Sequence, residues 1–181
     1  MIGAVVMAAG AGTRFGDKVK QLHDHDGRPM LEVVLATMAS SGIDERVVVL
    51  GGHAGDVLAT VDLHGARPLF CLRWEDGQAA SLRCGLAALT GLDAALVVLG
   101  DGPWLDPRAV ARIAAADPGD PPHAIAADYG AGRSHPVLIP RALWDDLPAT
   151  GETPGRRLPT RLIDCRDLTA PGDVDYPQSR Q

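Results

Sequence analysis

Residues 5–16 read VVMAAGAGTRFG, a short apolar run that opens onto glycines at Gly10, Gly12 and Gly16 with one cation, Arg14, among them. Only glycine lets backbone N–H groups approach a ligand without a Cβ in the way, so a glycine-rich turn after a strand is suited to cradling a phosphate. Lys18 and Lys20 follow just beyond the turn. Fixed cations beside a polyphosphate fit phosphoryl or nucleotidyl transfer, in which charge on the phosphoryl oxygens has to be neutralised. A second feature is GDGPW at residues 100–104, where Asp101 directly follows an apolar run and stands between two glycines. A carboxylate there reads either as a turn or cap residue or as a ligand for Mg2+, whose partners are carboxylates, water and phosphate oxygens. Opposite a cationic glycine loop, the ligand reading gains weight.

Two familiar phosphate loops are excluded. A dinucleotide fingerprint G-x-G-x-x-G begun at Gly10 would need its third glycine where Phe15 stands, and no acidic residue closes the second apolar run, which ends LGGHAG. The G-K-[ST] ending of a P-loop is absent as well. No Ser-His-Asp or Cys-His order is visible, which disfavours a covalent mechanism. The HDHD run at residues 23–26 reads as a solvated turn, and Trp74, Trp104 and Trp144 as packing residues.

These loops need a scaffold, and the pattern of the chain supplies one. IGAVVM, RVVVLGG, PLFCLR and AALVVLG are strand-length apolar runs. Between and after them lie MLEVVLATMASSG, AGDVLATVDL, AASLRCGLAALTG and DPRAVARIAAAD, all with helical spacing. Continuous Val/Leu runs without alternation mark strands buried on both faces, the signature of a parallel sheet. The expected fold is therefore α/β, three-layered α/β/α, with a mostly parallel sheet. Shorter candidates HAIAADYG, HPVLIP and TRLIDC follow, and this second half is less regular. In such a sheet ligands lie at the carboxyl ends of the strands. The glycine loop, WEDGQAAS and GDGPW would thus share one edge.

A chain of 181 residues that is 46% hydrophobic can bury one sizeable core, so a single domain over residues 1–181 is expected. The formal charge of −6 and the lack of a Lys/Arg-rich run exclude a nucleic-acid or anionic-membrane surface. Cys71, Cys84 and Cys165 form no C-x-x-C pair and suggest neither a disulfide framework nor a zinc site. The apolar run at the start is too short for a secretory segment or a membrane span, so a cytoplasmic protein with a small-molecule partner is expected.

Six motifs, AAGAGTRFG, KQL before DGRPML, DGQAASLRCGL, GDGP, SHPV and DVDYP, occur in an order and spacing that resemble the MobA-like NTP transferases, closest to the molybdenum cofactor cytidylyltransferase branch. The resemblance spans residues 5–177 and implies a three-layer Rossmann-like nucleotidyltransferase that moves NMP from an NTP to a phosphate-bearing acceptor, with Mg2+ and release of pyrophosphate. It implies that Ala8, Ala9, Gly10, Gly12, Thr13 and Arg14 bind the nucleotide, with Gly77, Gln78 and Ser81 approaching base and ribose. Arg14 and Lys20 become the catalytic cations, with Lys18 a competing assignment because one extra residue separates Gly16 from Lys20. Asp101 and Asp175 become metal ligands, with Asp173 the fallback. His135 takes an acceptor contact or a local hydrogen bond. Glu152 stands where the family usually has an aspartate near the acceptor, and Gly102 where Met or Gln is commoner. AAG at residues 8–10 accompanies cytidylyltransferases, so CTP is the expected donor and molybdopterin or molybdenum cofactor the expected kind of acceptor.

Overall fold

The computed structural model describes residues 1–12 and 19–173. Its strands are β1 Ile2–Ala8, β2 Asp24–His25, β3 Arg28–Pro29, β4 Arg46–Leu50, β5 Arg67–Phe70, β6 Ala94–Leu99, β7 Ala124–Asp128, β8 Arg133–Pro140 and β9 Thr160–Asp164. Its α-helices are α1 Met30–Ala39, α2 Ala54–Thr60, α3 Gln78–Ala87 and α4 Pro107–Ala114. Seven strands form one sheet in the order β5-β4-β1-β6-β8-β7-β9, and β2 pairs with β3 in a small hairpin. β8 runs antiparallel to both neighbours while the other sheet pairings are parallel. The mostly parallel three-layer expectation is borne out.

The layers follow from strand periodicity. Ala4, Val6 and Ala8 of β1 face a cluster with Leu31, Val34, Leu35 and Met38 of α1, Val57 of α2 and Val110 and Ile113 of α4. Val5 faces the other way, toward Leu82 and Leu86 of α3 with Trp144, Leu147 and Leu158. Each Val, Leu, Ile or Met side chain so buried contributes about 1.5–3 kcal/mol. Val47, Val48 and Val49 of β4 and Ala95 and Leu96 of β6 are likewise without exposure, as continuous apolar runs require. The edges differ: Arg67, Pro68 and Phe70 of β5 and Arg161 and Leu162 of β9 are exposed, and a proline and charges there discourage pairing with another chain.

Local signals place the ends of the helices. Asp106 caps α4 by accepting from the Arg108 amide at 2.8 Å, with Pro107 next in the chain. The Ser40 and Ser41 hydroxyls donate to the Thr37 and Met38 carbonyls at 2.8 and 2.7 Å beyond α1. The HDHD run supplies β2 and enters the turn to β3, with Asp26 and Gly27 at φ 52° and 83°. Two successive positive φ values make the tight hairpin connection that Asp-Gly favours. That hairpin is absent from the pattern of apolar runs because its strands are two residues each.

The chain leaves β1 for β4 and β5 on one side, then returns to place β6 on the other. The junction of β1 and β6 is therefore the topological switch point, where open α/β sheets leave a crevice at the carboxyl ends of their strands. Met7 pairs with Leu99 there, so the 9–12 loop and Asp101 emerge side by side. No helix among the described residues is long and apolar enough to cross a membrane.

Candidate active site

The loop after β1 is tied down through its carbonyls. Gln21, nearly buried in the 3-10 turn Lys20–Leu22, donates from Nε2 to the carbonyls of Ala8 at 2.8 Å and Gly10 at 2.7 Å. His53 Nε2 lies 3.2 Å from the Ala11 carbonyl. Three carbonyls engaged by side chains are not presented to an anion, whose charge they would repel. The fold thus makes the loop compatible with phosphate, and neither Gln21 nor His53 is recognisable in the sequence. The only hint of Gln21 was its place between Lys20 and Leu22 in KQL.

Lys20 reaches across to the end of β6. Its Nζ stands 2.7 Å from Asp101 Oδ2 and 3.1 Å from Asp173 Oδ1. Burial pulls the Lys20 pKa down, but the hydrogen bonds and charges of Asp101 and Asp173 outweigh it, and the net displacement is upward. Asp101 Oδ1 is buried without a hydrogen-bond partner among the described residues. Such an oxygen is expensive unless something occupies its lone pairs. Among the described residues Asp173 is the second carboxylate at this point, while Asp175, Thr13, Arg14 and Lys18 lie outside the described residues.

Asp173 is delivered by packing. The Trp104 amide donates to the Pro171 carbonyl at 3.2 Å. A Cβ on Gly102 would come within 3.1 Å of Pro171 Cβ and 3.2 Å of the Pro171 carbonyl oxygen. The unusual glycine after Asp101 is thus the residue that lets the 171–172 segment lie close.

One cleft of about 330 Å³, within the range of small-molecule sites, gathers most of the predicted nucleotide residues. Ala9, Gly10, Gly12, Gly77, Gln78, Ser81, Asp101 and Glu152 all line it. Ala8 ends β1 and is only 6% exposed, so it shapes the loop without facing the cleft. The cleft also takes Trp74 and Glu75, which the sequence did not single out as site residues. Gly77 adopts φ +99°, and a Cβ there would meet Glu152 Oε1 and the Gly151 carbonyl oxygen, both at 2.9 Å. Gly151 also accepts from the Ala79 amide at 2.8 Å and donates to the Asp76 carbonyl at 3.1 Å. The turn before α3 is therefore stitched to the 151–152 loop.

A second cavity of about 170 Å³ adjoins the first and shares Met7, Gln78, Leu99 and Glu152 with it. His135 and Glu152, the two expected acceptor residues, both line this second space. His135 also makes a local hydrogen bond, with Nδ1 3.3 Å from the Val97 carbonyl. A carbonyl only accepts, so Nδ1 carries the proton and Nε2 of the neutral ring is an acceptor. Burial lowers the His135 pKa, and nearby Arg133 lowers it further, so the ring is neutral at pH 7. None of the three cysteines lines either cavity.

The MobA-like NTP transferase domain matches residues 4–165 of this chain. Nicotine blue oxidoreductase of Paenarthrobacter nicotinovorans is 33% identical over 94% of this chain and 90% of its own length. The crystal structure of the Rv0371c homologue from Mycobacterium sp. strain JC1 superimposes with a TM-score of 0.81 at 27% identity, covering 97% of this chain and 90% of that one. Rv0371c of Mycobacterium tuberculosis H37Rv, solved as a complex with manganese, gives a TM-score of 0.73 at 28% identity over 90% of this chain and 87% of that one. By sequence and fold, this chain with its switch-point cleft belongs to the MobA-like NTP transferase family.

Proposed function

We propose that this chain, acting as one nucleotidyltransferase unit, transfers NMP from an NTP, CTP by preference, to a phosphate-bearing acceptor of the molybdopterin kind and releases pyrophosphate. The observation that carries this reading is the Lys20 ammonium held 2.7 Å from Asp101 beside the 9–12 loop, at the crevice between β1 and β6. The loop would receive the phosphates, with Ala9 beside the base and Gly77, Gln78 and Ser81 along base and ribose. Arg14 and Lys20 would neutralise charge growing on the transferred group. An oxygen of the acceptor phosphate forms the new bond to the α-phosphorus while the bond from that phosphorus to the leaving pyrophosphate breaks. The attacking phosphate is ionised at pH 7, so no side chain has to remove a proton from it.

The donor set suits a divalent ion such as Mg2+. Asp101 offers a buried oxygen with no partner among the described residues, Asp173 stands on the same ammonium, and both are the hard oxygen donors such ions take. Asp101 with Asp173 or Asp175 would hold the ion, which supplies charge neutralisation on the triphosphate. The manganese complex of Rv0371c supports a divalent requirement. A cytoplasmic setting accords with a nucleoside triphosphate substrate.

A second reading is favoured by one observation, the name oxidoreductase carried by a relative that matches 94% of this chain. Pyrophosphate release from each NTP against a panel of phosphate acceptors, run beside nicotinamide-cofactor oxidation, separates the two. Pyrophosphate release that depends on acceptor, NTP and divalent metal is the expected result. Cofactor turnover without pyrophosphate would overturn the transferase reading.

A further inference from the structure

Lys20, Asp101 and Asp173 meet although they come from three separate segments, and Trp104 joins those segments. It follows Asp101 closely in GDGPW, on the loop after β6. Its ring meets that of His25 edge-on, with centroids 5.1 Å apart and planes at 89°. His25 belongs to the hairpin that continues the Lys20–Leu22 turn, since the His23 amide donates to the Lys20 carbonyl at 3.0 Å and the Met30 amide to the His23 carbonyl at 2.8 Å. The third segment lies against the same indole. A Cβ on Gly172, the residue before Asp173, would stand 2.4 Å from Trp104 Cε3 and 2.7 Å from Cζ3.

Neither core packing nor the sheet explains this arrangement. Trp104 is 41% exposed, so burial alone does not account for a ring in this place. A cavity of about 280 Å³ lies between residues 170–173 and the side chains of Leu99, Ser134 and His135, so the segment bridges a space instead of resting on the end of the sheet. Gly172 and Asp173 are themselves exposed. Holding an exposed aspartate 3.1 Å from Lys20 Nζ costs backbone and side-chain entropy, and an ion pair of that exposure is too weak to meet the cost by itself. The backbone before Asp173 has to be fixed by something else, and Trp104 touches it twice, with the ring at Gly172 and the amide at the Pro171 carbonyl.

We infer that Trp104 is a positioning residue, whose ring and amide hold the 171–172 segment so that Asp173 stands on Lys20 beside Asp101. That the assembled carboxylates serve a divalent ion rests on the function proposed above, whereas the holding of Asp173 does not.

Mn2+ binding to the full chain without nucleotide, followed by electron paramagnetic resonance, and hydrogen exchange over residues 166–173 test this. Trp104→Ala should weaken Mn2+ binding about tenfold, as loss of the support behind a metal ligand does, and should speed exchange in that stretch about tenfold or more. Trp104→Phe keeps a ring and should recover most of both. In an Asp173→Asn background Trp104→Ala should have no further effect on Mn2+, because the ring acts through that carboxylate. Unaltered Mn2+ affinity in a folded Trp104→Ala protein, or the same tenfold loss in the Asp173→Asn background, overturns the inference. Should Trp104→Ala fail to fold, Gly172→Ala decides, because Gly172 is exposed and the added methyl pushes the segment off the ring. A loss of Mn2+ affinity of about threefold or more then supports the inference, and no loss overturns it. If the unmodified protein binds no Mn2+, faster exchange over residues 166–173 in Trp104→Ala sinks the metal reading and leaves the positioning standing, and unchanged exchange overturns both.

Discussion

The two sides of the sheet meet at β6 and are made differently. On one side β5, β4, β1 and β6 are parallel, joined through α1, α2 and α3. On the other β8 runs against its neighbours, β7 is irregular between Ala126 and Ala127, and the stretch between β8 and β9 holds only the 3-10 turns Arg141–Leu143 and Pro154–Arg157. Parallel strands bring their carboxyl ends to one edge, so the larger cleft is furnished by loops, above all the backbone of residues 9–12. The antiparallel strand brings its beginning to that same edge. Val97 pairs with Val137, so His135 lies level with the end of β6 and Arg133 and Ser134 lie beyond it, and all three furnish the second cavity with side chains. Backbone recognition suits a phosphate chain common to many nucleotides, whereas side chains suit one particular acceptor.

If that division holds, substitutions on the parallel side should cost catalysis and those on the antiparallel side acceptor binding. The largest effect is expected from Asp101→Ala, which removes a carboxylate from Lys20 and, on the proposed function, a ligand from the divalent ion. Turnover should fall about a thousandfold or more while circular dichroism still reports a folded protein, and chelation of divalent ions should match it. Near-normal metal-dependent activity in that variant would dissolve the comparison. Next comes Lys20→Ala, expected to lower turnover about a hundredfold and far more than Lys18→Ala. Equal losses would show that the cation was assigned to the wrong lysine.

Gln21→Ala tests whether the loop works because its carbonyls are held. It frees the Ala8 and Gly10 carbonyls from their donor, at about 1–3 kcal/mol, and should raise KM for the NTP about tenfold with less change in kcat. An unchanged KM would mean that the loop keeps its shape unaided. Ala9→Gly should reduce the preference for CTP over GTP about tenfold in competition binding, since a single methyl beside the base is worth about 1–3 kcal/mol. Tighter GTP than CTP binding by the unmodified protein would refute the cytidylyl donor and leave nucleotidyl transfer intact.

The smallest effect belongs to the antiparallel side and is one of pH. His135 has a folded pKa below its ordinary 6.5, so the unfolded chain binds a proton more readily. Its contribution to stability is full above pH 6.5 and is lost as pH falls from 6.5 through the folded value. Urea midpoints on either side of pH 6.5 should therefore drop less steeply on acidification in His135→Gln than in the unmodified protein. Identical slopes would mean that the ring is not held neutral.

The parallel half was legible because its physics is local. Runs such as RVVVL and AALVVL, too short for helices and rich in Val, read as strands covered on both faces, helical spacing at Leu31, Val34, Leu35 and Met38 names the covering stripe, and the glycines after β1 announce a close approach. Asp101 was visible for the same reason, as a charge directly after a buried run. The two-residue strands β2 and β3, the reversal of β8 and the role of Gln21 were not legible. Each depends on partners far along the chain: Gln21 acts on carbonyls 11 and 13 residues away, and the Lys20 to Asp101 contact spans 81 residues. Gly102 looked like a departure from pattern until the 171–172 segment was seen lying against it. The sequence by itself determined which residues could carry charge or admit a phosphate. The tertiary structure decided which of them meet, because only folding selects, from many possible long-range pairings, the few that bury a cation beside a carboxylate or set Arg133 beside the apolar Leu82, Val97, Val137 and Ile139.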